Sequence, residues 1–161
     1  MSETRFRSAT HAVKGEWIDF NGHMNVAYYP ILFETLVSST VDELGLGQEY
    51  VVSENKSLFT IEAHIRFLRE LHEGDRAYSI FRYVDHDRSK LVYTQELNRE
   101  DGWLSATLEV LAIHVDMLAR KSVPFRKEAL ALFEDLASEA RNRPRLDYLG
   151  RAVGIKNRNR P

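Results

Sequence analysis

The sequence contains no cysteine, which excludes disulfide bonds, thiolate metal sites, iron–sulfur clusters and cysteine nucleophiles. Glycine and proline are scarce, with 8 and 4 among 161 residues, and no stretch rich in them marks an interdomain linker. No apolar run approaches the roughly 20 residues that cross a bilayer, and the first residues lack the apolar stretch of a signal peptide. We therefore expect one cytoplasmic domain that does not bind membranes.

Several enzyme motifs are also missing. The chain has no Gly-x-Ser-x-Gly elbow and no glycine-rich phosphate or dinucleotide loop, which disfavours serine hydrolases and the common nucleotide-binding classes. The six histidines show no His-Glu-x-x-His motif and no paired spacing typical of zinc, so we expect no metal and no cofactor. The net charge of −2 disfavours a dedicated nucleic-acid binder.

Charge is unevenly distributed along the chain. Residues 141–161 contain seven basic side chains against one acidic residue, Asp147, so this tail carries +6 and the preceding 140 residues carry −8. We expect a single domain over residues 1–140 followed by this basic tail. The tail either holds phosphates or an acidic partner, or is a solvated terminus.

Hydrophobic periodicity predicts the order of the elements. A short strand over Val13–Ile18 precedes a helix from about Ala27 to Leu44, and a closing amphipathic helix follows Pro124. Between the helices the period changes to two, which predicts four antiparallel strands over residues 59–67, 78–84, 91–97 and 103–115. This order predicts an α+β fold, and a long helix wrapped by a curved antiparallel sheet is called a hotdog. The order alone also permits other α+β folds.

The segment before the first helix has the densest run of reactive side chains. Asp19, Asn21, His23 and Asn25 occur at every second position, and a turn would make them converge. A carboxylate, an amide, an imidazole and unpaired helix N–H groups are the parts needed to hydrolyse an activated acyl group. The alternative is a polar loop in which Asp19 and Asn25 only cap the helix.

This motif, followed by Met24 and Tyr29, resembles the signature of hotdog thioesterases of the 4-hydroxybenzoyl-CoA and acyl-ACP thioesterase group. The resemblance extends from about His11 to Val123. Residues 61–66 and 112–116 more closely resemble the betainyl-CoA thioesterases that are encoded with, or fused to, carnitine dehydrogenases. The resemblance implies that the protein hydrolyses a short acyl-CoA. In carnitine metabolism this substrate would be betainyl-CoA, which gives glycine betaine and coenzyme A.

The resemblance also implies the roles of individual residues. Asp19 matches the catalytic aspartate, Asn21 and His23 match its assistants, and the backbone N–H of Val26, beside Asn25 at the helix N-terminus, would polarise the thioester carbonyl. Many members use a second carboxylate. In this sequence Glu34 and Glu62 are both candidates for the second carboxylate. Glu62 is favoured because it shares a polar stripe with Thr60 and His64.

The substrate's two charged ends suggest further contacts. Trp17, Tyr28 and Tyr29 are aromatic groups that could surround a trimethylammonium, and Glu62 could supply the opposite charge. Arg120 and Lys121 are candidates for the coenzyme A phosphates. The resemblance further implies a homodimer or homotetramer whose active sites lie between subunits.

Three other functions stay open at this point. One is a thioesterase of broad specificity for aliphatic or aromatic acyl groups. A hotdog hydratase or dehydratase is disfavoured, because it would need a histidine on or near the central helix and none lies between Ala27 and Gly45. A non-catalytic acyl-CoA-binding protein is the third.

Overall fold

The computed structural model describes residues 6–155. Its helices are α1 (Tyr28–Glu43), α2 (Gln48–Glu54) and α3 (Lys127–Ala140), with a short 3₁₀ helix at Gly15–Trp17. Its strands are β1 (His11–Ala12), β2 (Lys56–Phe67), β3 (Arg76–His86), β4 (Lys90–Arg99), β5 (Leu104–Asp116) and β6 (Lys121–Ser122). None of these helices is long and apolar enough to span a membrane.

The strands form one antiparallel sheet in the order β1-β3-β4-β5-β2, and β6 pairs with β5. Helix α1 lies against one face of this curled sheet, and its apolar stripe is buried there: Tyr29, Leu32, Phe33, Leu36 and Val37. Pro30 falls in the first turn of α1, where its missing N–H costs little. The predicted α+β hotdog fold with a C-terminal helix is confirmed.

Two details of the sequence prediction are wrong. The strand expected over Val13–Ile18 is replaced by β1 and the 3₁₀ turn, and only Ile18 retains an isolated bridge, to Met24. The single alternation expected along β2 is interrupted by a β-bulge between Thr60 and Glu62. A bulge adds an unpaired residue to the strand. Residues such as Thr60 and Glu62, which a period of two would place on the same face, therefore lie on opposite faces of the sheet.

His114 on β5 is a structural histidine. It is fully buried, and its Nδ1 lies 3.0 Å from the carbonyl oxygen of Val123, which fixes Nδ1–H as the donor. The hydroxyl of Tyr50 then donates to Nε2 over 3.0 Å. Desolvation lowers the pKa of His114, so the neutral ring ties α2 to β5 and to the segment before α3.

Part of the C-terminal segment packs on the sheet. The Tyr148 side chain is buried, and its hydroxyl donates to Oε1 of Glu96 on β4 over 2.9 Å. The Gly150 N–H donates to the carboxylate of Glu109 on β5. These contacts cover part of the outer face of the sheet, which the charge pattern did not predict. The basic residues at positions 156, 158 and 160 lie outside the described residues.

Candidate active site

The loop before α1 folds into a tight turn that brings Asp19 and His23 together. The Asp19 N–H donates to the His23 carbonyl over 3.0 Å, and the bridge between Ile18 and Met24 closes the loop. Gly22 at its tip has a φ of 80°, a left-handed conformation that costs glycine nothing. The alternating motif therefore becomes a closed turn with the aspartate and the histidine at its base.

Backbone N–H groups of this segment donate to the side-chain oxygens of Asp19 and Asn25. The Asp19 carboxylate accepts a hydrogen bond from the Asn21 N–H over 2.8 Å, which fixes one of its oxygens, and the Asn21 side chain is exposed. The Asn25 side chain accepts from the Ala27 N–H over 2.9 Å at the start of α1. Asn25 thus satisfies one of the unpaired N–H groups at this helix end.

A cavity of about 310 Å³ opens between this loop and the segment that follows β2. Its lining comprises Asp19, His23, Met24, Val26, Tyr29, Phe67, Leu68, Arg69 and Glu70. Two carboxylates, an imidazole and two aromatic rings therefore face one space at the N-terminus of α1. The carboxylates and the imidazole are groups that can act as general bases or acids on a bound acyl group.

Contacts from β5 hold the far wall of this cavity. The N–H groups of Leu68 and Arg69 both donate to the Ser105 carbonyl, and the buried Ser105 hydroxyl donates back to the Arg69 carbonyl over 2.8 Å. The Met24 N–H donates to the Leu71 carbonyl over 2.7 Å, which joins this wall to the Asp19 loop. Residues 68–71 are thereby fixed against the motif.

Tyr29 connects the helix to the same wall. Burial raises the pKa of its phenol, and the nearby Glu70 carboxylate adds to this, while hydrogen bonds to the Ser105 side chain and the Leu71 backbone act in the opposite direction. The phenol is therefore neutral at physiological pH. Its ring meets that of Phe67 edge to face, with centroids 4.9 Å apart, and Phe67, which also lines the cavity, is 48% exposed.

Trp17 and Tyr28 do not line the cavity. The Trp17 side chain is buried, with the rings of His11 and Tyr28 stacked beside it at centroid distances of 5.7 Å each. This stack lies beside the motif loop, since the Asn25 N–H donates to the Trp17 carbonyl over 2.9 Å. Of the three aromatic residues that the sequence suggested for the substrate, only Tyr29 reaches the cavity.

Neither carboxylate that the sequence offered as Asp19's partner lines this cavity. Glu62 pairs with Leu111 beyond the bulge, so it lies on the face away from α1, in a separate cavity with His64 and Glu109. Glu34 lines another cavity on the α1 side. Burial, with a smaller contribution from the Glu34 carboxylate, raises the pKa of Tyr93 there to about 12.

Sequence reasoning missed Glu70, the carboxylate that does share a cavity with Asp19. It lies three residues beyond the end of β2, where no periodicity marks it. The available signal was its position in a short polar connection between two strands, since connections often carry functional residues. Arg69, the cationic residue of the cavity lining, was missed for the same reason.

Arg120 and Lys121 lie at the other end of β5 from the cavity. Ser105 near the start of β5 contacts the cavity wall, whereas β6, which contains Lys121, pairs with the last residues of β5. Both basic side chains are exposed, and Arg120 has a left-handed backbone with a φ of 52°. A strand of 13 residues separates the two ends by roughly 40 Å.

A family model described as the thioesterase-like superfamily matches residues 13–133. The chain is 33% identical over 141 residues to a betainyl-CoA thioesterase of Pseudomonas aeruginosa, with 87% of this chain and 89% of that protein covered. It is also 32% identical to an L-carnitine dehydrogenase/betainyl-CoA thioesterase of Rhizobium meliloti, of which it covers 29%.

Solved structures show the same architecture. A hypothetical protein of Staphylococcus aureus in complex with CoA superimposes with a TM-score of 0.78 at 30% identity, covering 93% of this chain and 94% of that one. A DHNA-CoA thioesterase of the same organism gives a TM-score of 0.74 at 16% identity, covering 83% of this chain and 95% of that one, and shows the likeness of the fold alone.

Proposed function

This chain belongs to the thioesterase-like superfamily and is a thioester hydrolase acting on acyl-CoA, and we propose that it cleaves betainyl-CoA to glycine betaine and free coenzyme A. One observation supports betainyl-CoA as the substrate. The cavity that contains Asp19 also contains a second carboxylate, Glu70, and the half-exposed ring of Phe67. A base for hydrolysis and groups that attract a cation therefore face the same small space.

The proposed reaction uses Asp19 as general base. Its carboxylate takes a proton from water, and the water oxygen bonds to the thioester carbonyl carbon. The electron pair of the carbonyl moves to oxygen, where the backbone N–H of Val26 beside the positive end of α1 stabilises the oxyanion. The carbonyl re-forms as the carbon–sulfur bond breaks, and the leaving sulfur takes up a proton. His23 orients the water or the thioester. The absence of a cofactor and a cytoplasmic location stay predictions.

Recognition of the acyl group follows from its chemistry. A trimethylammonium cannot donate a hydrogen bond, so aromatic faces and carboxylates are the groups that attract it. In the cavity, Phe67 and Tyr29 supply rings 4.9 Å apart, and Glu70 supplies a negative charge that already acts on the Tyr29 phenol. Arg69 also lines the cavity, and its positive charge opposes this attraction. Its guanidinium lies over the ring of Trp103, which is outside the lining, with 5.6 Å between the guanidinium carbon and the ring centroid.

We expect a clear preference for the cationic acyl group. Catalytic efficiency with betainyl-CoA should exceed that with tert-butylacetyl-CoA, its neutral isostere, by about tenfold to a few hundredfold, because each cation–π contact contributes on the order of 0.5–2 kcal/mol. Steady-state release of free thiol from the two substrates measures this ratio. Glu70→Gln should lower the ratio, whereas Glu73→Gln, an exposed glutamate outside the cavity lining, should leave it unchanged.

The competing substrate class is a neutral aliphatic or aromatic acyl group, which Phe67, Tyr29 and Leu68 could line equally well. Equal or faster hydrolysis of tert-butylacetyl-CoA would reject betainyl-CoA and leave the thioesterase activity standing. Thiol release from neither class, in a folded protein, would contradict hydrolysis itself.

The free edge of the sheet supports a homodimer. Strand β2 has 12 residues and pairs only with β5 among the described residues. Phe59, Ile61 and Phe67 along it are each about half exposed, at 49%, 52% and 48%. A long apolar edge strand is a template for pairing with another chain, so we propose that two copies join β2 to β2.

Antiparallel pairing would complete the site from two subunits. The start of β2 in one copy would lie beside the end of β2 in the other, next to the cavity that Phe67 lines. Because Lys56 at the start of β2 pairs with Asp116, the hairpin of Arg120 and Lys121 lies at that same end. Each copy would then offer its basic hairpin to the coenzyme A phosphates at the other copy's cavity.

A charge placed on the edge tests this arrangement. Ile61→Lys should shift the protein from dimer to monomer and lower thioesterase activity, because two copies of the lysine would face each other across the paired edges. Light scattering at micromolar concentration gives the mass. Val52→Lys, which places the same charge at a 74% exposed position on α2, should leave the mass and the activity unchanged. A wild-type protein that is monomeric and fully active at that concentration would contradict the proposal.

A further inference from the structure

Three potential metal ligands from two separate segments meet beside the Asp19 cavity. They are His23 in the motif loop, and Glu70 and His72 in the connection between β2 and β3. One ligand atom of each lies within 4.8 Å of those of the others, and the two imidazole rings meet edge to face with centroids 5.0 Å apart. Two imidazoles and a carboxylate form a ligand set that binds Zn²⁺ and leaves a fourth position open.

The backbone holds these ligands in register. The hydrogen bond from the Met24 N–H to the Leu71 carbonyl, 2.7 Å long, joins the residues next to His23 and His72. Sequence spacing concealed this cluster, because 47 residues separate His23 from Glu70. The arrangement therefore depends on the tertiary contact between the loop and the connection.

A second carboxylate supports His72. The Asp75 Oδ2 atom accepts a hydrogen bond from the His72 N–H over 2.9 Å and lies 3.6 Å from the Nδ1 atom of the same ring. The backbone hydrogen bond fixes the position of His72, and the carboxylate lies beside its ring without a hydrogen bond to Nδ1. Glu70 and His72 are exposed and His23 is half-buried, so an ion can reach all three from solvent.

We propose that His23, Glu70 and His72 bind one zinc ion and that this ion inhibits hydrolysis. Imidazole ligands favour zinc over magnesium or calcium, which prefer sites made of oxygen atoms. A bound ion occupies the ring nitrogen of His23 and the carboxylate of Glu70, and it places positive charge where the cationic acyl group enters. Zinc therefore competes with betainyl-CoA. The inhibition rests on the proposed function, whereas the zinc site does not.

Calorimetric titration of the full chain with zinc chloride tests the site without any substrate. We expect one zinc ion per chain for the wild type. For His72→Gln we expect an affinity lower by at least the roughly 10–100-fold that loss of a supporting partner alone costs. His64→Gln, which removes an imidazole from the separate cavity on the other face, should bind as the wild type does. Equal affinity in the wild type and His72→Gln, or no binding to either, would overturn the site.

Activity assays test the inhibition separately. Zinc should raise the KM of the wild type for betainyl-CoA with little change in kcat, and a chelator should restore the original KM. His72→Gln should keep the basal rate and need at least tenfold more zinc for the same effect. Zinc that binds through His72 but leaves hydrolysis unchanged, or accelerates it, would overturn the inhibition and keep the site. A protein without thioesterase activity would reject the proposed function, and the titration would still decide the site.

Discussion

Asp19→Asn should lower kcat by roughly 10²–10⁴-fold, the range for losing a general acid–base group. The amide keeps the shape of the carboxylate and can still accept the hydrogen bond from the Asn21 N–H, so the turn is preserved while the base is lost. The measurement is thiol release at saturating betainyl-CoA. Because the motif supplies its own base, a chelator should not lower the wild-type rate.

Asp135→Asn provides the matched control, since it makes the same change at an exposed position on α3. It should retain the wild-type kcat. Full activity in a folded Asp19→Asn protein would reject the mechanism. One turnover in heavy-oxygen water tests the role of general base, which leaves no heavy isotope in the Asp19 side chain. Heavy isotope there would show instead that Asp19 attacked the thioester carbon and that water then attacked the aspartyl carbon of the anhydride.

Phe133→Ala should destabilise the protein by about 3–5 kcal/mol, the usual cost of deleting a fully buried aromatic ring. The Phe133 ring on α3 has no exposed surface and packs against the rings of Phe125 and His86, with centroids 5.1 and 5.4 Å away. The substitution leaves a cavity where α3 meets the sheet, and neighbouring elements cannot close it fully. Denaturant unfolding at a fixed protein concentration measures the loss.

Phe20→Ala is the control for this substitution. Phe20 is 97% exposed, so its loss should change the free energy of unfolding by less than about 0.5 kcal/mol. A Phe133→Ala protein as stable as the control would show that α3 does not contribute to the cooperative core. Because the same ring is deleted in both variants, the difference between them reports mainly the burial of Phe133.

The elements with a strong local pattern were predictable from the sequence. The apolar spacing of α1 and the alternation in the strands are set by which side chains must be buried, so the predicted helix over 27–44 and strand over 103–115 agree closely with α1 and β5. Helix α2 is short and was not predicted. The 3₁₀ turn at Gly15–Trp17 was mistaken for a strand because three residues carry no period.

The bulge in β2 shows how a small local event changes the assignment of a site. The sequence placed Thr60 and Glu62 on one polar stripe, but the extra residue between them leaves Thr60 opposite Ala112 and Glu62 opposite Leu111. Thr60 therefore lies in the cavity with Glu34, and Glu62 lies on the other face. A strict alternation of faces does not allow for an inserted residue, so the sequence alone could not show on which face of the sheet Glu62 lies.

The fold class and the motif loop could be predicted from the chain alone, because they depend on periodicity and on neighbouring residues, and the resemblance of that motif implied Asp19 as the base. Which side chains meet Asp19 depends on the tertiary fold. Glu70 and His72 lie tens of residues from His23 in the chain. They are held beside it by the hydrogen bond between Met24 and Leu71 and by the contacts of Ser105 with residues 68–69. Such encounters are set by how the sheet curls around α1, which is a property of the packed core and of no local segment.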